Sequence, residues 1–364
     1  MTQRVFNFSP GPAVLPLPVL ERAQRDLVSL PGVGMSVLEV THRGPAFEAI
    51  LQSAKQRLVE LLRIPANYRV LFLQGGARLQ FSMVPMNLLR AREQAADYIL
   101  TGSWGKSACQ EARKEGRVQI AWDGRDHGYD RLPGPADLVL DPAAAYVHMT
   151  SNETIEGVQF RAEPDTGQVP LVCDASSDFL SRPLPIARYG LIYACAQKNA
   201  GPAGVTVVIV REDLLERSSD ALPGYLNFRL QAQEDSMYNT PPTFAIYVLD
   251  LVAQWLQEEI GGLAAMQWLN QEKSQLVYAV VDASGGFYQG HAQPACRSLM
   301  NVTFRLPTEE LQAGFLAEAE QRGLYNLKGH RSVGGIRASI YNAMPLAGVT
   351  ALGEFMQQFR RQHG

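Results

Sequence analysis

Tyr189-Gly190-Leu191-Ile192-Tyr193-Ala194-Cys195-Ala196-Gln197-Lys198-Asn199 is the stretch on which the reading of this chain turns. Its first eight residues are apolar or small and lack the alternation of a half-exposed strand, which is the pattern of a strand covered on both faces. The run ends at Lys198, and Gly201-Pro202-Ala203-Gly204 follows. A lysine leaving a buried strand among small residues is poised for desolvation, which lowers an amine's pKa and makes it nucleophilic. Upstream, Leu171-Val172-Cys173-Asp174 puts a carboxylate at the end of another apolar run. Singly, Asp174 reads as a turn cap and Lys198 as a solvated loop residue. Together, on successive strand ends of one sheet, they favour a ligand site, because open α/β sheets bind ligands at the carboxyl ends of their strands.

Outward from this stretch, strand and helix signals alternate. Strands are predicted at Tyr68–Leu73, Asp97–Leu100, Val118–Trp122, Ala145–Met149, Leu171–Asp174, Leu191–Ala196 and Val205–Val210. Phe47, Ile50, Leu51, Ala54, Leu58, Leu61 and Leu62 keep a helical period, and helical patterns also run from Leu79 to Leu89 and through Glu115. This alternation predicts an α/β fold with a mostly parallel sheet between helices. Pro10, Pro12, Pro16 and Pro18 make the first eighteen residues an extended arm. Leu222–Ser236 has no clear period and is expected to cross the surface. Helices are predicted at Thr243–Glu259 and Leu263–Ala283. Strand (Asn301–Leu306), helix (Glu309–Arg322), strand (Gly335–Ile340) and helix (Gly348–Arg361) then form a smaller α+β domain. The expected division is an arm over 1–15, a large domain over 16–262 and a small domain over 263–364.

Composition narrows the function. The chain has 364 residues, 46% hydrophobic and 19% charged, enough for a large core. A net charge of −3 argues against broad binding to nucleic acid or an acidic membrane surface. Cys109, Cys173, Cys195 and Cys296 form no CxxC pair, so they read as reduced thiols of a cytoplasmic protein and not as a metal site. No apolar run reaches transmembrane length, and the N-terminus reads as lacking a signal peptide.

Several loops could serve the Asp174–Lys198 pair. Gln74-Gly75-Gly76-Ala77-Arg78 lies between a strand and a helix, where free N–H groups could seat a phosphate or the glycines could simply make a tight turn. Trp104, in Thr101-Gly102-Ser103-Trp104-Gly105, could stack on a flat ring or fill the core. Ser151-Asn152-Glu153-Thr154 could offer a hydroxyl to a ring oxygen or cap a turn. Asn239-Thr240-Pro241-Pro242-Thr243 reads as a helix start, with a Thr cap and prolines in the first turn. His42-Arg43, His330-Arg331 and Arg337 each have glycine neighbours and could bind a small dianion, since Arg grips carboxylate or phosphate through a fork. A lysine able to form a Schiff base, with a carboxylate for a pyridinium nitrogen, is what pyridoxal phosphate chemistry requires.

On Phe6-Asn7-Phe8-Ser9-Pro10-Gly11-Pro12-Ala13, Ser36-Val37-Leu38-Glu39-Val40-Thr41-His42-Arg43, Ala196-Gln197-Lys198-Asn199, Asn239-Thr240-Pro241-Pro242-Thr243-Phe244 and Lys328-Gly329-His330-Arg331-Ser332-Val333-Gly334-Gly335-Ile336-Arg337-Ala338-Ser339, the chain resembles the phosphoserine aminotransferases, a family of fold-type I pyridoxal phosphate enzymes. The resemblance runs nearly end to end. It implies that Lys198 forms the Schiff base and then moves the proton, while Asp174 holds the ring nitrogen. It implies that Trp104 stacks on the ring, Thr154 bonds its phenolic oxygen, and Ala77, Arg78 and Gln197 hold the phosphate. It implies a homodimer in which Asn239 and Thr240 reach the neighbouring subunit's cofactor. Arg337 would take the substrate α-carboxylate, and His42, Arg43, His330 and Arg331 the distal anion. The implied reaction moves the amino group of L-glutamate to 3-phosphohydroxypyruvate, in serine biosynthesis; many bacterial members also serve vitamin B6 synthesis. Pro10 stands where some relatives carry a serine, so no polar contact is expected from it. Rival readings are another fold-type I aminotransferase such as the alanine–glyoxylate type, a cysteine desulfurase, or a non-catalytic pyridoxal phosphate-binding module.

Overall fold

The computed structural model describes residues 4–364, so the first three residues of the expected arm lie outside it. The arm carries a short strand, β1 (Phe6–Asn7), and α1 begins at Leu17, inside the segment expected to be extended. Pro18 is tolerated there because the first helical turn has no use for its N–H. After α1 (Leu17–Asp26) come α2 (Pro45–Leu62), β2 (Tyr68–Leu73), α3 (Gly76–Leu88), β3 (Ala96–Leu100), α4 (Ser103–Ala112) and β4 (Val118–Asp123). Next are β5 (Val147–Thr150), the hairpin of β6 (Asn152–Glu153) and β7 (Val158–Gln159), then β8 (Leu171–Asp174), β9 (Tyr189–Cys195) and β10 (Thr206–Arg211).

β2, β10, β9, β8, β5, β3 and β4 form one seven-stranded sheet in that order. All neighbours are parallel except β10, which runs antiparallel to both β2 and β9. The central strands β8, β9 and β10 are mostly apolar because both faces are covered. Val70, Phe72, Ile192 and Ala194 face a core that includes residues of α1 and α2, while Leu71, Leu73, Leu191 and Tyr193 face one that includes α3 and α4. The segment after β10 holds α5 (Glu212–Leu215) and α6 (Phe228–Gln233), and it does more than cross the surface. Phe228 is buried in the α3–α4 core, and Asn227 caps α6 by accepting from the Leu230 N–H. A lone buried aromatic has no periodic partners, which is why no element was legible there.

α7 (Thr243–Glu258) packs on α1 and α2 and completes the first core. Pro241 and Pro242 stand before this helix and not in its first turn. α8 (Leu263–Asp282), β11 (Gln289–Gly290), β12 (Asn301–Arg305), α9 (Glu309–Gln321), β13 (Leu324–Tyr325), β14 (Ile336–Ser339) and α10 (Leu346–His363) follow. β11, β12 and β14 make a separate antiparallel sheet, with its own core against α8, α9 and α10. The arm belongs to this part: β1 pairs with β13, and Phe8 enters its core.

Candidate active site

The parallel strands all end on one edge of the large sheet, and the candidate residues gather there. β8 ends at Asp174, β5 at Thr150 directly across from it in register, and β9 three residues before Lys198. These ends border a cavity of ≈ 410 Å³. Nine of the residues singled out from sequence line it: Ala77, Arg78, Trp104, Thr154, Asp174, Gln197, Lys198, His330 and Arg337. His42, Arg43, Arg331, Asn239 and Thr240 do not. His42 and Arg43 lie together before α2, with Arg43 Nε 3.4 Å from His42 Nε2. Asn239 Nδ2 bonds Gln74 Oε1 at 3.2 Å, and Gln74 Nε2 bonds the Thr240 carbonyl at 3.3 Å.

Lys198 Nζ donates to Thr154 Oγ1 at 3.0 Å and lies 5.7 Å from the centre of the Trp104 ring. Its pKa does not move in the direction expected from sequence. Burial pushes the amine down, but Tyr341, Cys195, Asp174 and Glu153 act the other way and the net shift is upward. The charged form of Lys198 is therefore favoured, and the amine must lose a proton before it can act as a nucleophile. Burial raises the Asp174 carboxyl, while hydrogen bonding from Ser176 and the charge of Lys198 oppose the rise. The Ser176 N–H donates to Asp174 Oδ1 at 3.0 Å.

The Gly75-Gly76 turn opens α3. Gly75 has φ +86°, and a Cβ there would stand 2.6 Å from Leu79 Cβ, so only glycine fits. The Ala77 and Arg78 N–H groups fall in the first turn of α3, whose partial positive charge suits an anion.

Trp104 is fixed by residues that sequence reasoning did not single out. The Glu153 carboxylate accepts from the Trp104 and Gly105 N–H groups at 3.0 and 2.8 Å, and Glu156 Oε1 accepts from the Ser103 N–H at 2.9 Å. Two buried carboxylates thus cap α4, and burial pushes Glu153 well above the usual carboxylate range. Gly102 admits them, since a Cβ there would lie 2.6 Å from Glu153 Cδ. Glu153-x-x-Glu156 beside Thr154 was the available signal, but its target lies about fifty residues away in the chain. Pro10 also makes an unexpected polar contact: its carbonyl accepts from the Tyr341 hydroxyl at 2.9 Å.

The second part of the molecule closes the cavity with His330 and Arg337. Arg337 is buried yet forms no ion pair among the described residues, and its Nε has no hydrogen-bond partner. Burial lowers its pKa. His330 is lowered by partial burial and by repulsion from Arg337 and Arg331. Trp104 Nε1 and Thr150 Oγ1 are likewise buried, unpartnered and on the cavity wall. Orphaned polar groups around one cavity mark a site built for a polar guest. Pyridoxal phosphate fits this donor set: an anion seat at α3, an aromatic wall at Trp104, a carboxylate at Asp174, and an amine and hydroxyl at Lys198 and Thr154.

The described cysteines are all free and buried, Cys296 included, so none is the mobile thiol that a desulfurase needs. The family model of the class-V aminotransferases matches residues 5–352. The phosphoserine aminotransferase of Rhodopirellula baltica is 57% identical over 358 residues, covering 98% of this chain and 95% of its own length. The solved phosphoserine aminotransferase from Bacillus circulans subsp. alkalophilus superposes with a TM-score of 0.97 at 51% identity, covering 99% of both chains. The pyridoxal phosphate-bound phosphoserine aminotransferase from Trichomonas vaginalis superposes with a TM-score of 0.91 at 41% identity, covering 97% of this chain and 100% of its own.

Proposed function

This chain belongs to the class-V aminotransferases, and we propose that it uses pyridoxal 5'-phosphate to move the amino group of L-glutamate to 3-phosphohydroxypyruvate. The products are 2-oxoglutarate and O-phospho-L-serine, formed in two half-reactions with ping-pong kinetics. The observation that carries the reading is the meeting of Lys198, Asp174 and an unpaired, buried Arg337 in one cavity. A non-catalytic binding module would have no use for that guanidinium.

When bound, the cofactor supplies the aldehyde that takes the amino group and the ring that draws electrons from the substrate Cα. The chain's residues do the rest. The Ala77 and Arg78 N–H groups, with Gln197, would hold the phosphate. Asp174 would pair with the ring nitrogen and favour its charged form, and Trp104 would stack on the ring. Lys198 Nζ would take the proton from the amino-acid Cα and deliver it to the carbon that carried the cofactor's aldehyde, and the second half-reaction would run that transfer in reverse. Arg337 grips the α-carboxylate through its fork. His330 and Arg331, with His42 and Arg43, accept the distal group, which is a carboxylate on one substrate and a phosphate on the other. Arg and His serve both because they donate to oxygen without fixing the geometry of the anion's centre.

In this reading a second copy brings His42, Arg43, Asn239 and Thr240, which do not line the chain's own cavity, to a site. Support for a homodimer comes from exposed apolar side chains near them in the chain: Leu38, shortly before His42, is 58% exposed, and Tyr238, next to Asn239, is 45% exposed. Apolar surface of this kind favours association. A division into an arm (1–15), a large domain (16–262) and a small domain (263–364) is supported by the separate core around α8–α10, with the arm fastened to the small domain. Four unpaired thiols favour the cytoplasm as the compartment.

The test is a visible spectrum of the cofactor-loaded protein through both half-reactions. Glutamate should shift the cofactor band, and 3-phosphohydroxypyruvate should restore it while pyruvate and glyoxylate do not. Restoration by a different keto acid alone would overturn the substrate assignment.

A further inference from the structure

Lys273, on α8, is 3% exposed and makes no ion pair among the described residues. Its ammonium lies within hydrogen-bond distance of four backbone carbonyls: Ile340 at 3.2 Å, Tyr341 at 2.7 Å, Asn342 at 3.2 Å and Met344 at 3.3 Å. These belong to the turn between β14 and α10. An ammonium buried without a counter-charge is costly unless hydrogen bonds compensate it, and here every compensating oxygen comes from one turn. The turn it gathers is therefore the feature to follow.

From that turn, contacts reach two neighbours of the reactive lysine, Asn199 and Pro10. The Asn342 N–H donates to Asn199 Oδ1 at 2.9 Å, and Asn199 Nδ2 donates to the Ser177 carbonyl at 3.0 Å, which fixes the residue next to Lys198 from both sides. Asn270, one helical turn before Lys273, donates to Asn342 Oδ1 at 2.8 Å and adds a second tie from α8. The Tyr341 hydroxyl donates to the Pro10 carbonyl at 2.9 Å. That contact holds the arm against the Lys198 stem, where a Cβ on Gly11 would meet Lys198 Cγ at 3.5 Å. One turn thus contributes a contact on each side of the Lys198 segment, to Asn199 and to the arm, and Lys273 gathers that turn's carbonyls.

We propose that Lys273 is a positioning residue for Lys198, acting through the Tyr341–Asn342 turn and never touching substrate. The proposal rests on the reading of Lys198 as the proton-transfer group. Burial pushes the Lys273 amine down to about 7, and the four carbonyl oxygens favour its charged form. A neutral amine has one fewer hydrogen to share among them.

The experiment compares Lys273→Met, Asn342→Ala and the double variant with the parent, all as loaded holoenzyme. Stopped-flow rates of both half-reactions are measured, together with cofactor release on dialysis and thermal unfolding. Lys198 serves both half-reactions, so Lys273→Met should slow both by the same factor, about 10- to 100-fold for a displacement near 1 Å. It should also release the cofactor faster. The double variant should be no slower than the slower single one. Normal half-reaction rates in a folded Lys273→Met protein, with only the melting temperature changed, would overturn the proposal. So would slowing of one half-reaction alone, or additive losses in the double variant. If Lys273→Met does not fold, Lys273→Arg decides on the same rates: slowing of both supports the role, and parental rates overturn it. Should the parent fail with glutamate and 3-phosphohydroxypyruvate but react with another pair, the substrate reading falls. Cofactor release and the rates with that pair then still decide the role of Lys273.

Discussion

Asp174 and His148 are buried titratable residues on the large sheet with opposite assignments. Asp174 is placed to meet a cation. A carboxylate about 3 Å from a cationic ring nitrogen attracts it by on the order of 5 kcal/mol at an effective dielectric of about 20, before desolvation. Asp174→Ala should therefore keep a borohydride-trappable bond between Lys198 and the cofactor while turnover falls by at least about 100-fold. Near-parental turnover would show that Asp174 does not serve the ring. His148 meets no anion. It stacks on Tyr98 at 4.7 Å, Nε2 lies 2.8 Å from the Tyr193 hydroxyl, and Nδ1 has no partner. Burial pushes its pKa from 6.5 down to about 3. Below pH 6.5 the unfolded chain takes up a proton that the folded one refuses, so this contribution to stability is full above 6.5 and falls as pH drops toward 3. Between pH 7 and pH 5 the loss should be about 2 kcal/mol. Denaturant titrations at the two pH values should show a shallower acid limb for His148→Phe; an unchanged limb would mean that the loss comes from other groups.

At the scale of elements, what the sequence disclosed follows how far each signal reaches along the chain. β2 and β8 were legible to the residue because strands covered on both faces are near-continuous apolar runs, broken in β2 only by the exposed Arg69. Asp174 and Lys198 stood out because a charge ends each run. The two-residue strands β1 and β13 were not legible, since their pairing joins positions more than three hundred residues apart. The caps of α4 by Glu153 and Glu156 were missed for the same reason: a long-range cap leaves no pattern beside the helix it serves. The upward shift of Lys198 was also out of reach, because Tyr341 and Glu153 come from distant segments. The start of α3 is an element-scale device with a sharp test. Gly75→Ala would force a Cβ to within 2.6 Å of Leu79 in a backbone that non-glycine residues rarely adopt. The strain is about 1–3 kcal/mol, and it falls on the turn that carries the phosphate seat. Cofactor affinity, measured by fluorescence titration of the cofactor-free protein, should weaken about 10-fold. Unchanged affinity would move the phosphate away from α3.

Over the whole molecule, the cavity draws on both sheets and on the arm, yet five of the expected site residues lie away from it. A single chain therefore presents Asn239 and Thr240 on its surface, bonded to each other and to Gln74. If a second copy supplies them, each site consists of Lys198 from one protomer and Asn239-Thr240 from its partner, and two damaged chains can rebuild one good site. Lys198→Ala removes the amine, and Asn239→Ala with Thr240→Ala removes the shared phosphate contacts. In a mixed dimer, the intact Lys198 of the second chain meets the intact Asn239-Thr240 of the first, while the other site carries both defects. Co-expressed and purified by two different tags, the mixed dimer should regain about half the parental turnover, with parental cofactor affinity at the surviving site. If Asn239 and Thr240 instead serve their own chain, every site in the mixture carries one defect. Cofactor affinity then stays at the level of the doubly substituted homodimer, and the shared-site arrangement is wrong.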